Sequence, residues 1–182
     1  MMSGTLRPIA ITPGDPCGIG PETIARAWCQ QAQLTRGCFV PGDVGLMRRA
    51  LALLGEAAPV SVLQIGRAAD ALDVPAGCLP VLQVVEPAPE WPWGRVDAGA
   101  GRLAGECVLW ATRAALRGEV AAIVTAPLHK EALHAAGAPW NQYPGHTELL
   151  QAECARHAGV PLAQMPVRMM LANEELRTVL VS

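Results

Sequence analysis

Lysine is almost missing from these 182 residues: Lys130 stands alone against thirteen arginines. Tyrosine and phenylalanine occur once each, and all aromatics together make only 4% of the chain. That shortage excludes a surface built from stacked nucleobase platforms. Charged residues are 16%, below the roughly 25% of ordinary domains, and the formal net charge is −2. Such a balance excludes a protein designed to grip nucleic acid or an anionic membrane. A hydrophobic share of 51% excludes a disordered chain, whose mark is low hydrophobicity with high net charge. No apolar run approaches the ~18 residues of a membrane span, and the opening residues lack a signal-peptide core. The six cysteines (17, 29, 38, 78, 107, 154) form no C-x-x-C pair and no zinc-like spacing. Reduced thiols and a cytoplasmic setting are therefore expected. The thirteen arginines are scattered rather than clustered, and there is no internal repeat or low-complexity tract.

What is present is an alternation of short β-branched runs and helical stretches, on a length that suits one ordinary domain. Residues 8–12 (PIAIT) read as a buried strand stopped by Pro13-Gly14. Pro21 suits a first helical turn, and 22–33 carries helical composition. Residues 37–41 read as a second strand, 44–54 as a helix, and 60–65 and 81–85 as further strands. Three prolines make 86–94 (EPAPEWPWG) a loop, in which Trp91 and Trp93 are expected to pack onto something. A long amphipathic helix follows over 97–117, ended by Gly118. The continuous apolar run 120–125 (VAAIVT) reads as a central parallel strand buried on both faces. A short helix at 129–136 and two strands at 167–172 and 176–181 complete the pattern. It predicts an α/β fold with a mainly parallel sheet and ligands at the carboxyl ends of its strands.

Three segments sit where such sheets do chemistry. TPGDPCGIGPE (12–22) follows the first strand and precedes a helix, a layout that brings backbone N–H groups near an anion. It lacks both G-x-G-x-x-G and the Walker ending, so a plain turn and a ligand loop fit it equally. TAPLHK (125–130) follows the apolar run 120–125; Lys130 there is either an anion-neutralising ammonium or a solvated residue at a helix start. YPGHTE (143–148) combines a Pro-Gly turn with Thr147 as N-cap of a helix beginning near Glu148. His146 is then kept neutral beside a positive helix end, or is incidental to a capping motif. His134 and His157 read as surface or packing residues, and with His129 they show no metal-ligand spacing.

The segments ITPGDPCGIGPE (11–22), VTAPLHKEALHAAG (124–137), PGHTELL (144–150) and MMLANEELRTVLVS (169–182) occur in that order. Together they resemble the 4-hydroxythreonine-4-phosphate dehydrogenase family of pyridoxal phosphate biosynthesis. The opening motif is also similar to the PGDGIGPE loop of isocitrate and isopropylmalate dehydrogenases, with two residues added. The resemblance implies that α/β fold, a mainly parallel sheet flanked by helices. It implies oxidation of a phosphorylated hydroxy-amino acid with NAD or NADP, decarboxylation of the β-keto product, and a divalent metal ion (Zn, Mg or Co). It also implies a homodimer with its cleft between two domains.

By this resemblance His146 and Thr147 match the family's substrate-binding His-Thr, Lys130 matches a lysine neighbouring the active site, and Cys17 stands where a small residue is usual. No catalytic, cofactor-binding or metal-ligating residue of this chain follows from it. The three metal-ligand histidines and most of the nicotinamide site belong to a carboxy-terminal half. Residues 1–182 are accordingly expected to be the amino-terminal portion of a two-domain enzyme, truncated inside a strand and inactive alone, with an exposed apolar edge at 176–181. Two other readings use the same motifs: a paralogue acting on threonate or erythronate 4-phosphate, and a non-catalytic truncated remnant.

Overall fold

The computed structural model describes residues 6–55 and 58–181. Five strands, β1 (Ile9–Thr12), β2 (Cys38–Gly42), β3 (Ser61–Ile65), β4 (Cys78–Gln83) and β5 (Ala122–Thr125), form one sheet in the order β3-β4-β2-β1-β5. Every pairing in it is parallel. The helices α1 (Gly20–Gln30), α2 (Val44–Ala52) and α3 (Ala98–Leu116) lie between these strands, and α4 (Lys130–Ala135) and α5 (His146–Ala158) follow β5. A separate antiparallel hairpin joins β6 (Met170–Ala172) to β7 (Arg177–Val179).

The pleat divides each central strand between two cores. Cys38 and Val40 of β2 and Leu79 and Val81 of β4 pack with Ile24, Trp28 and Met47 of α1 and α2. Phe39 and Leu82 point the other way and pack with Ala111 and Ala114 of α3. Phe39 meets Trp110 edge-on, with ring centroids 6.0 Å apart and an interplanar angle of 89°, the arrangement the ring quadrupoles favour. Both faces of β2 are thereby covered, which its wholly buried sequence reflects.

From β1 the chain runs to β2, on to β3 at the far edge and back to β4 between β3 and β2, then crosses through α3 to return as β5 on the other side of β1. The strand order reverses at the β1–β5 junction, and ligand clefts of open parallel sheets form at such a point. Two glycines seat the later helices against α3. A β-carbon on Gly101 would collide with the backbone of Ala132 in α4, and one on Gly105 would lie 2.6 Å from the Trp140 ring. Val108, Leu133, Trp140 and Leu149 close a small core between α3, α4 and α5.

Several sequence expectations change. Residues 120–125 contain an edge strand, not a central one: β5 has one neighbour, β1, and Val124 is 49% exposed. Its apolar run reflects a strand whose second side has no partner among the described residues. Trp91 packs against the core of Leu46, Leu103 and Cys107 as expected, whereas Trp93 is half exposed. The two last strands are shorter than 167–172 and 176–181, and they pair with each other instead of joining the main sheet. Leu176 and Val181 are exposed there. Residues 86–94 carry no helix or strand. No helix among the described residues is long and apolar enough to cross a membrane.

Candidate functional site at the carboxyl edge of the sheet

The loops after β1 and β5 are bonded to each other. The backbone N–H of Asp15 donates to the carbonyl of Pro127 at 3.0 Å, and the N–H of Ala126 donates to Thr12 at 3.1 Å. Gly14 adopts a φ of 71°, a left-handed conformation natural to glycine. Its missing side chain also matters, since a β-carbon there would run into the Pro127 carbonyl. The first two sequence motifs are therefore a single structural unit at the switch point.

The glycine-bearing loop is a closed turn. The buried Asp15 carboxylate accepts the Cys17 N–H at 3.0 Å, and the Asp15 carbonyl accepts Gly18 N–H at 3.0 Å. Two amides of the loop, those of Cys17 and Gly18, are thus taken by Asp15 itself. Burial first, then the charges of Asp15 and Asp97, push the Cys17 thiol up to about 11. Cys17 is buried, as a tolerated small-residue replacement should be. Asp97 caps α3 by accepting the N–H groups of Gly99 and Ala100 at 2.8 and 3.0 Å. An anion binding at the Cys17 and Gly18 amides would have to displace the Asp15 carboxylate and carbonyl.

The second and third motifs meet at the start of α4 and α5. Lys130 opens α4, and the His129 imidazole caps that helix through the Ala132 N–H at 3.4 Å. Helix α5 begins at His146 with Gly145 as its N-cap, so Thr147 lies inside the first turn and is not the cap predicted from sequence. The point where a β-carbon of Gly145 would sit is 3.5 Å from Cε of Lys130 and 3.7 Å from Oε2 of Glu148. Lys130 is exposed, and none of the ion pairs among the described residues includes it.

His146 is half-buried, and its Nε2 atom is enclosed without a hydrogen-bond partner. Burial holds its pKa below the usual 6.5, so the ring is neutral at pH 7. The Oγ1 atom of Thr12, the last residue of β1, is likewise buried and unpartnered. Orphaned buried polar groups are costly and mark sites where another group completes the set. A cavity of about 440 Å³ opens beside this junction, between Lys130, Glu131 and His134 on α4 and Asn141, Gln142 and Tyr143 on the segment before α5. Glu148 and the amide-bearing pair Asn141-Gln142 were not singled out from sequence. Only their nearness to Lys130 in space marks them.

Other polar groups at this edge are structural. Asp43 accepts the Leu46 N–H at 2.6 Å and the Gln83 amide at 3.0 Å, while Gln83 also binds Val44 and Val85. Every one of those bonds closes within the fold. Among the described residues no three His, Cys, Asp or Glu side chains converge on a metal-sized site. The described residues therefore do not fit a divalent ion by themselves.

Comparison with known proteins gives a consistent picture. The family model described as pyridoxal phosphate biosynthetic protein PdxA matches residues 33–182. A 4-hydroxythreonine-4-phosphate dehydrogenase of Beijerinckia indica is 42% identical over 175 residues, covering 96% of this chain and 48% of that protein. A D-threonate 4-phosphate dehydrogenase of Salmonella typhimurium is 46% identical over 143 residues, covering 78% of this chain and 42% of its own length. The crystal structure of a 4-hydroxythreonine-4-phosphate dehydrogenase from Klebsiella pneumoniae superposes with a TM-score of 0.76 at 37% identity, over 96% of this chain and 50% of that one. The fold shared with it is the isocitrate/isopropylmalate dehydrogenase-like α/β fold. The chain spans about half the length of the curated relatives it matches.

Proposed function

The chain belongs to the family of the pyridoxal phosphate biosynthetic protein PdxA, and from that premise we propose that it supplies the substrate end of a dehydrogenase acting on 4-hydroxythreonine 4-phosphate. The substrate's hydroxyl is oxidised in that reaction and the resulting β-keto acid loses CO2. NAD or NADP as hydride acceptor, a divalent ion and a homodimeric assembly come with the family resemblance. The family resemblance assigns the metal ligands and most of the nicotinamide site to a carboxy-terminal half, and this chain is read as the amino-terminal portion of the enzyme.

One observation carries the reading: Lys130, the Gly145 turn and His146 are gathered at one junction, beside the loops where β1 and β5 end. In the proposed complex His146 turns its unpartnered Nε2 toward a substrate oxygen, exchanging an unsatisfied buried atom for a hydrogen bond. Its neutral ring can donate or accept without adding charge. Thr147, in the first turn of α5, offers a hydroxyl and a backbone N–H that has no partner in the helix. Both residues orient the substrate, and neither needs to transfer a proton for this role.

The identity of the Salmonella relative, 46% against 42% for the Beijerinckia protein, supports a second reading, a phosphorylated sugar acid as substrate. NADH formation by the full-length protein, offered 4-hydroxythreonine 4-phosphate, D-threonate 4-phosphate and D-erythronate 4-phosphate in turn, decides between them. Preference for the first supports the reading given. Preference for a sugar acid replaces it with the second, and turnover of none overturns both.

A further inference from the structure

A second cavity, of about 580 Å³, opens at the opposite end of the sheet, where β2 and β4 begin. That size lies within the roughly 300–1,000 Å³ of small-molecule sites. Trp28, Val60, Leu72 and Val74 supply apolar wall. Three of the free cysteines, Cys29, Cys38 and Cys78, line the same space although they come from α1, β2 and β4. Arg36 and Asp73 are its charged lining residues and stand on two different loops. Both are exposed, and none of the ion pairs among the described residues includes either. A ligand carrying a carboxylate and an ammonium can engage both by charge-assisted bonds, and the thiols suit a ligand that also carries sulfur.

The three thiols are not equivalent. Cys38 is buried, and burial pushes its thiol above the usual value. Cys29 sits in the last turn of α1, where the negative helix end repels the carboxylates of a ligand. Cys78 is half-buried at the start of β4, on the same side of the cavity mouth as the loop of Asp73, and its sulfur lies 3.9 Å from the Ser61 hydroxyl. We propose that this cavity is a reversible S-thiolation site, in which Cys78 exchanges with a zwitterionic low-molecular-weight disulfide whose carboxylate and ammonium groups pair with Arg36 and Asp73. Cys78 gives its proton to solvent, and its sulfur attacks one sulfur of the disulfide. A new S–S bond joins Cys78 to that half as the old S–S bond breaks, and the other half departs as a thiolate that takes up a proton. Cys78 is oxidised and the departing half is reduced, so the disulfide is the only oxidant required. Excess free thiol reverses the step.

The experiment is timed peptide mapping by mass spectrometry on the full-length protein, incubated with glutathione disulfide and, separately, with the small neutral reagent methyl methanethiosulfonate. Cys154, half-buried like Cys78 but outside the cavity, is the internal reference. Glutathione is expected to attach to Cys78 roughly tenfold faster than to Cys154, since reactive thiols sit in partly exposed surroundings with a cation at hand. Arg36→Met is expected to remove most of that preference. The neutral reagent has no carboxylate for Arg36 to hold, so it should modify Cys78 equally fast in the wild type and in Arg36→Met. Equal glutathione rates at Cys78 and Cys154, first attachment at Cys29, or an unmodified Cys78 overturns the proposal. So does an Arg36→Met protein that keeps the wild-type preference, or one that slows the neutral reagent as much as glutathione disulfide.

Discussion

Arg113 of α3 donates its Nε proton to the buried Glu153 carboxylate of α5 at 2.9 Å, which fixes the helix that begins with His146 against the long helix behind the sheet. Arg156, one turn further along α5, donates to the same carboxylate. Burial alone would raise the Glu153 pKa, but the bonds from Arg156 and Arg113 outweigh it and hold the group below its usual value of 4.5. The stabilisation is therefore complete above pH 4.5 and is lost as the pH falls through the lower folded value. Glu153→Gln should remove roughly 1–3 kcal/mol, the range for losing a charged hydrogen-bond partner. Urea unfolding at pH 7 checks this, and the variant should also show less acid sensitivity below pH 4.5 than the parent.

His146 gives a second pH dependence with a different window. Its folded pKa lies below the ordinary 6.5 because burial disfavours the imidazolium. Below pH 6.5 the unfolded chain takes up a proton that the folded chain still refuses, so stability falls as the solution is acidified. A proton NMR titration should place the His146 midpoint below 6.5. A midpoint above 6.5 would contradict the neutral ring assigned here.

Gly101 separates packing from chemistry. An added methyl there meets the backbone of Ala132, which cannot step aside as a flexible side chain can. Gly101→Ala should cost roughly 1–3 kcal/mol, as overpacking does, and should shift α4 and its Lys130. Thermal melting read against substrate affinity tests both effects, and an unchanged melting temperature would count against the close α3–α4 contact.

Gly145→Ala should do the reverse. Its φ of 178° is extended backbone, and the new methyl makes only ordinary contact with Lys130 and Glu148. Stability should fall by only roughly 0.5–1 kcal/mol, because Gly145 is the N-cap of α5 and alanine is the poorer cap, while the methyl narrows the junction between Lys130, Glu148 and His146. Calorimetric affinity for 4-hydroxythreonine 4-phosphate should fall at least tenfold. Unchanged binding would argue against substrate contact at this junction.

Much of the fold was legible because local signals agreed with tertiary structure. Proline at the start of α1, Asp43 and Asp97 before α2 and α3, and glycine after α3 bracket the helices where they occur. The misreading of β5 has a clear cause. An apolar run records that a strand is not meant for water, but not which neighbour covers it, and here only β1 pairs with it. At the site, His146 and Lys130 stood out by type and motif. Glu148 did not, since an acidic residue in a first helical turn is usual. What marks it is that Lys130, on another helix, approaches the same point above Gly145. The glycine loop misled in the opposite direction: its amides looked available in sequence, yet Asp15 occupies those of Cys17 and Gly18.

Steady-state NADH formation from 4-hydroxythreonine 4-phosphate, comparing the full-length wild type with His146→Ala, tests the central claim most directly. The account predicts that the wild type turns over and that the variant, with a melting temperature close to the parent's, loses at least tenfold in kcat/KM. A His146→Ala protein with unchanged kcat and KM would contradict it.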